Sequence, residues 1–151
     1  MASVDDGALG FFGADHQACD AAWIEVETAA GAGDAAKATA AWTRFSTMMT
    51  RHLAMEEEVL FPAFEEATGM RGMGPTAVMR HEHIQMRGVL AQMAESAAAG
   101  KWSVLVDQGD TLLMLIQQHN AKEEGMLYPM ADQHLASQWG EIAAKLRGYG
   151  G

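Results

Sequence analysis

Two segments decide the fold: His52-Leu-Ala-Met-Glu56-Glu57-Glu58-Val59-Leu60-Phe61-Pro62 and His119-Asn-Ala-Lys-Glu123-Glu124-Gly125-Met126-Leu127-Tyr128-Pro129. They lie 67 positions apart, and the same offset carries His16 to His83, Gly33 to Gly100 and Asp15 to Glu82. Each half therefore reads acid-His, followed 36 residues after the His by His-x-x-x-Glu-Glu. In a helix, positions i and i+4 share a face one turn apart. His52 and Glu56 thus point the same way, as do His119 and Glu123.

Working outward, the chain divides at its breakers. Gly31, Gly33 and Asp34 close a first segment. Gly69, Gly72, Gly74 and Pro75 close a second, Gly100 closes a third, and Pro129 falls near the end of a fourth. Each segment carries an apolar stripe spaced by three and four. The stripes read Phe12, His16, Cys19, Trp23, Val26, Ala30; then Phe45, Met49, His52, Glu56, Val59, Ala63; then Met79, His83, Met86, Leu90, Met93, Ala97; then Leu112, Ile116, His119, Glu123, Met126, Met130. Four such stripes joined by short connections predict an all-α protein, an antiparallel up-down four-helix bundle. A single domain over 1–151 is expected, with the bundle over about 12–131 and a short C-terminal fifth helix over about 133–147.

The stripes pose a problem of charge. Each is interrupted by a histidine, and two also by a glutamate. A carboxylate buried without a partner costs several kcal/mol. A metal ion satisfies His16, His52, Glu56, His83, His119 and Glu123 together. A two-fold arrangement gives each of two ions two imidazoles, with Glu56 and Glu123 bridging the pair. Octahedral ions would then be completed by a solvent-derived bridge and one open position for a small ligand. Mixed imidazole and carboxylate donors suit Fe, Mn or Zn. Two carboxylate-bridged ions favour a redox metal over structural zinc, which prefers a closed tetrahedron. Two iron ions are therefore the expected cofactor.

His81 lies about 200° around the helix from His83, and both the repeat and the stripe select His83. The string His81-Glu82-His83 lacks the second His of a zinc protease motif at i+4. Cys19 reads as a small core residue and Tyr128 as a packing residue at the bundle end, because its repeat mate Phe61 has no hydroxyl. Glu57 is expected just behind the metal and Glu58 in solvent. Pro62 and Pro129 are expected to kink or end their helices.

The residues Asp15-His16, His52 with Glu56 and Leu60-Phe61-Pro62, Glu82-His83 with Met86-Arg87, and His119 with Glu123 and Leu127-Tyr128-Pro129 resemble the hemerythrin-like, His-His-Glu cation-binding family. The resemblance covers about Ala14 to Met130. It implies a non-haem di-iron site in a four-helix bundle. It also implies roles in oxygen carriage, in sensing oxygen or iron, or in handling nitric oxide or peroxide. The oxygen carriers place His-x-x-x-His on the third helix and His-x-x-x-x-Asp on the fourth. Here the third helix offers His83, with Arg87 at i+4, and the fourth offers Glu123 at i+4. The chain thus resembles the four-histidine branch, which includes iron–sulfur repair and iron-sensing members.

Composition bounds the partners. The net charge of -10 repels phosphate backbones, so nucleic acid is not expected. No apolar run reaches the roughly 20 residues that span a bilayer, so no membrane partner is expected. Met1 to Phe12 lacks a basic n-region, predicting no signal peptide, and the one cysteine, Cys19, fits a reducing cytoplasm. The expected partners are a small diatomic ligand or peroxide and a reductase, with the protein a monomer or homodimer. Three activities follow as expectations: reaction with O2, NO or peroxide as an oxidoreductase in stress defence, reversible O2 binding without turnover, or iron and redox sensing.

Overall fold

The computed structural model describes residues 7–150, so the reading of Met1 to Phe12 as lacking a signal peptide falls partly outside it. Helix α1 is Gly7–Gly31, α2 Ala35–Met55, α3 Phe61–Thr68, α4 Pro75–Ala98, α5 Trp102–Lys122, α6 Tyr128–His134 and α7 Trp139–Arg147. α2 and α3 are one continuous rod joined by a wider π-helical turn at Glu56–Leu60, and α5 and α6 are joined the same way at Glu123–Leu127. Four long rods form the predicted bundle, α1 pairing with α2 and α4 with α5. α7 is the short fifth helix, packed over the first π turn. No helix of the described residues is long and apolar enough to cross a membrane.

The breakers act as read. Asp34 caps α2 by accepting the Lys37 amide at 3.0 Å. Gly69 ends α3 in the left-handed conformation, at φ 75°. Pro75 opens α4 where its missing N–H costs nothing. Two boundaries move. α1 starts at Gly7 rather than near 12, because Asp132 accepts the Ala8 amide at 2.6 Å and caps the helix from across the bundle. The fifth helix starts at Trp139 rather than near 133, because α6 runs on to His134 and a short 3-10 turn at Ala136–Gln138 intervenes.

The prolines do not break their rods. In an α-helix the Pro62 ring would clash with the carbonyl of residue 58. The π turn inserts one residue, and the Phe61 amide reaches back five positions to the Glu56 carbonyl. Tyr128 does the same to Glu123 ahead of Pro129. Such turns concentrate at functional sites. Here they rephase the helix, so the inward face passes from i+4 to i+5. Phe61 and Tyr128 are fully buried beneath Glu56 and Glu123. The predicted inward Met126 is 47% exposed, and Leu127 takes its place.

Two apolar clusters fill the interior. One holds Phe12, Leu60, Phe61, Phe64, Leu127, Tyr128, Ile142 and Leu146. The other holds Trp23, Phe45, Leu53, Met86, Met93, Leu105 and Leu112. Along α1, His16 stands one turn from Phe12 of the first and one from Cys19 of the second. The polar residues therefore form a layer between two apolar ends. The first end is tied by buried Glu65, which accepts from Thr76 Oγ1 at 2.7 Å and from Arg80 Nε at 3.0 Å.

Candidate metal centre

Six side chains meet in that layer. His16 comes from α1, His52 from α2, His83 from α4 and His119 from α5. Glu56 and Glu123 are the first residues of the two π turns. All six are at most 5% exposed, and both glutamates are 0%. Ligand atoms of His16, His52, Glu56 and Glu123 lie within 4.8 Å of one another, and so do those of Glu56, His83, His119 and Glu123. The two glutamates are common to both groups. The imidazoles pair, with His16 and His52 ring centroids 4.7 Å apart and His83 and His119 4.9 Å apart. Of the two neighbouring histidines on α4, His83 is buried in the layer and His81 is exposed.

Glu123 spans the pairs with separate oxygens: Oε1 is 3.1 Å from His16 Nε2 and Oε2 is 3.1 Å from His119 Nε2. Glu56 Oε1 lies 3.1 Å from His83 Nε2 and 3.5 Å from His52 Nε2. The outer ring nitrogens are tied down by a second set of acids. His52 Nδ1 donates to Asp15 at 2.7 Å and His119 Nδ1 to Glu82 at 2.8 Å. His16 Nδ1 donates to Glu124 at 2.7 Å and His83 Nδ1 to Glu57 at 2.7 Å. These bonds also obey the 67-residue offset: the first pair of bonds are repeats of one another, and so are the second. A proton fixed at Nδ1 leaves the Nε2 lone pair facing inward, the tautomer a metal needs. Arg87 in turn holds Glu57 at 3.0 Å, and Lys122 holds Glu82.

The interior is incomplete in protein terms. His52 Nε2, Glu56 Oε1 and Glu123 Oε2 are buried without a hydrogen-bond partner. His83 Nε2 and His119 Nε2 face each other at 3.2 Å, where a single proton at most can sit. Two buried carboxylates and four inward lone pairs fit cations, and all donors are nitrogen or oxygen with no thiolate among them. Burial opposes charging His119, but the carboxylates of Glu123 and Glu56 beside it outweigh burial and push its pKa up to about 10. Burial likewise opposes ionising Glu56, yet His52 and the other imidazoles hold its carboxyl well below the usual range.

Of the two acids that follow Glu56, Glu57 backs His83, while Glu58 is exposed and accepts from Tyr149 at 2.5 Å. Sequence reading gave Asp15, Glu82 and Glu124 no role. The signal was present, an acid one residue before His16 and His83 and one residue after Glu56 and Glu123. Truncating Asp15 or Glu82 to alanine is expected to weaken metal binding by about 10–100-fold, with matched losses at these equivalent positions. Competition against a chelator measures this, and affinities equal to the unaltered chain would refute the orienting role.

Tyr128 corrects its reading as a packing residue. Its hydroxyl enters the layer, contacting Glu56 Oε2, Glu123 Oε1 at 2.8 Å and His16 Nε2 at 3.2 Å. Cys19 does behave as a core residue: burial and the charges of Asp15 and Asp20 push its thiol up to about 12, so it is not nucleophilic at neutral pH. A cavity of about 10 Å³ adjoins the layer, lined by His16, Cys19, Met49, His52, Met86 and His119, with Asp20 and Asn120 at its rim. That is room for about one water. A larger surface groove of about 510 Å³ between α1 and α2, beside Ile24, Lys37 and Arg44, contains no histidine.

Comparison with known proteins agrees with this geometry. Residues 8–131 match the model of the hemerythrin HHE cation binding domain. The chain is 26% identical over 101 residues to the iron-sulfur cluster repair protein YtfE of Escherichia coli O1:K1 / APEC, covering 59% of this chain and 46% of that protein. The same figures hold for YtfE of Escherichia coli SMS-3-5 and of Escherichia fergusonii. The chain thus spans about half the length of these relatives. No solved structure matches. On the match over 8–131, the chain belongs to the hemerythrin HHE cation-binding family.

Proposed function

We propose that this chain binds two iron ions. One is held by His16 and His52 and the other by His83 and His119, with Glu56 and Glu123 shared between them. The supporting observation is the set of buried, partnerless polar atoms, His52 Nε2, Glu56 Oε1 and Glu123 Oε2, inside the two overlapping donor groups. Iron is favoured over manganese or zinc by the family and by relatives named for iron–sulfur cluster repair. A bound iron pair supplies electrons and an exchangeable position for a small ligand.

The protein's own residues set what can reach it. The apolar clusters on either side exclude bulk water, and the cavity beside the layer, with room for about one water, favours a ligand of only a few atoms. Asp15, Glu57, Glu82 and Glu124 hold the imidazoles in place while charge at the centre changes. The function supported best is reaction with O2, NO or peroxide in a stress response, with a reductase partner returning the electrons. Metal analysis of protein purified from its native host, with absorption spectra before and after peroxide, tests this. Two irons per chain and catalytic loss of peroxide with a reductant are expected. Zinc alone, or a stable reversible spectrum with no consumption, would overturn the reactive reading.

A further inference from the structure

Among the six inward donors and the two aromatic rings packed beneath them, the two halves match with one chemical departure. His16 and His83, His52 and His119, and Glu56 and Glu123 are identical pairs. Phe61 and Tyr128 are not. Both are fully buried. Both rings lie against a histidine of their own end, Phe61 at 5.3 Å from the His83 centroid and Tyr128 at 5.7 Å from that of His16. The two rings share one packing task, which a phenylalanine performs on one side. The hydroxyl is therefore surplus to packing. A phenol oxygen in an apolar layer costs free energy unless it is hydrogen-bonded. This one is placed among Glu56 Oε2, Glu123 Oε1 and His16 Nε2. Its single proton can serve one carboxylate at a time, and every one of these contacts is made with the His16–His52 end or with the shared glutamates.

We propose that the Tyr128 hydroxyl makes the two metal positions unequal, giving the His16–His52 position a hydrogen-bond donor that the His83–His119 position, faced by Phe61, lacks. This rests on the two-iron reading above. A carboxylate oxygen that accepts this bond shares its electron density with the proton and donates less to the neighbouring ion. The same O–H offers a partner to an oxygen-bearing ligand at that end only. Tyr128 is thus a positioning residue that directs a small ligand to one ion of the two.

The test loads the full chain with 57Fe, counts iron, and records Mössbauer spectra of the unaltered chain, Tyr128→Phe, Phe61→Tyr and the double exchange. Two irons per chain giving two distinct quadrupole doublets of equal area are expected for the unaltered chain. The doublets converge in Tyr128→Phe, where neither end has the donor, and in Phe61→Tyr, where both do. They separate again in the double exchange, which moves the donor to the other end. Two irons with a single doublet in the unaltered chain would overturn the proposal. So would an unchanged pair of doublets in Tyr128→Phe. If Tyr128→Phe does not hold two irons, Phe61→Tyr decides: convergence supports the inference and the original pair of doublets refutes it. Failure of the unaltered chain to hold two irons would instead bring down the two-iron reading itself.

Discussion

Replacing Glu123 with alanine is expected to strip the chain of both proposed metal ions while leaving its helices in place. Glu123 belongs to both donor groups and reaches one histidine of each pair with a separate oxygen. Its loss removes a donor from each position at once. Loss of an orienting partner alone costs about 10–100-fold in affinity, so loss of a shared donor should cost well over a hundredfold. In the metal-free chain the lost contacts of Glu123 with His16 and Tyr128 are offset by removing one of two adjacent, fully buried carboxylates, so the helices should persist. The expected record is metal content below one ion per chain by elemental analysis, with unchanged helical circular dichroism. Glu56→Ala should match it by the repeat. Two ions retained in either variant would exclude a shared role.

The same experiment has a pH signature. In the metal-free chain the His119 pKa is pushed up to about 10, burial opposing and Glu123 and Glu56 prevailing. A histidine raised in the folded state stabilises the fold below its unfolded value of about 6.5 and loses that contribution as pH rises through about 10. A metal must displace this proton. Affinity should therefore rise with pH across that window, roughly tenfold per unit for each proton released. In Glu123→Ala the slope should flatten, because the carboxylate that holds the proton is gone.

The second large effect is structural. Gly109→Ala is expected to destabilise the protein by about 2–3 kcal/mol. Gly109 sits in the middle of α5 against the indole of Trp23, and a Cβ there would lie 2.1 Å from Cζ2 and 2.3 Å from Cη2. Trp23 is 2% exposed and packs on Phe45 at 5.1 Å between centroids, so the ring has nowhere to retreat. Alanine would otherwise gain up to about 1 kcal/mol in a helix interior. Gly88, mid-helix in α4 with nothing within 4 Å of its Cβ position, is the control and should show that gain. Thermal melts should move in opposite directions, Gly109→Ala falling by about 5–10 °C. Equal melting temperatures for Gly109→Ala and the parent would show that Trp23 can shift.

Much of this was written in one dimension. The 67-residue offset picked out the six residues that meet in the polar layer, with His83 rather than the exposed His81. These are statements about which residue types recur at one helical face, and a face is a local property. The bundle followed for the same reason, since breakers such as Asp34, Gly69 and Pro75 act through their own backbones.

What the sequence could not supply depends on partners distant along the chain. Whether a proline ends a rod or is absorbed by a π turn depends on the packing that rewards continuity. Here Phe61 and Tyr128 gain full burial by the extra residue, and the fixed three-and-four spacing then misplaces Met126 and Leu127. The start of α1 was set by Asp132, 124 residues away from the Ala8 amide it accepts. The pairing of each imidazole with its acid crosses from one helix to another: Asp15 on α1 holds His52 on α2, and Glu124 holds His16. Tyr128 is the sharpest case. As a letter it is an aromatic matched to Phe61. Only the crossing of four rods brings its hydroxyl among two glutamates and a histidine, because a single O–H acquires its chemistry from what surrounds it.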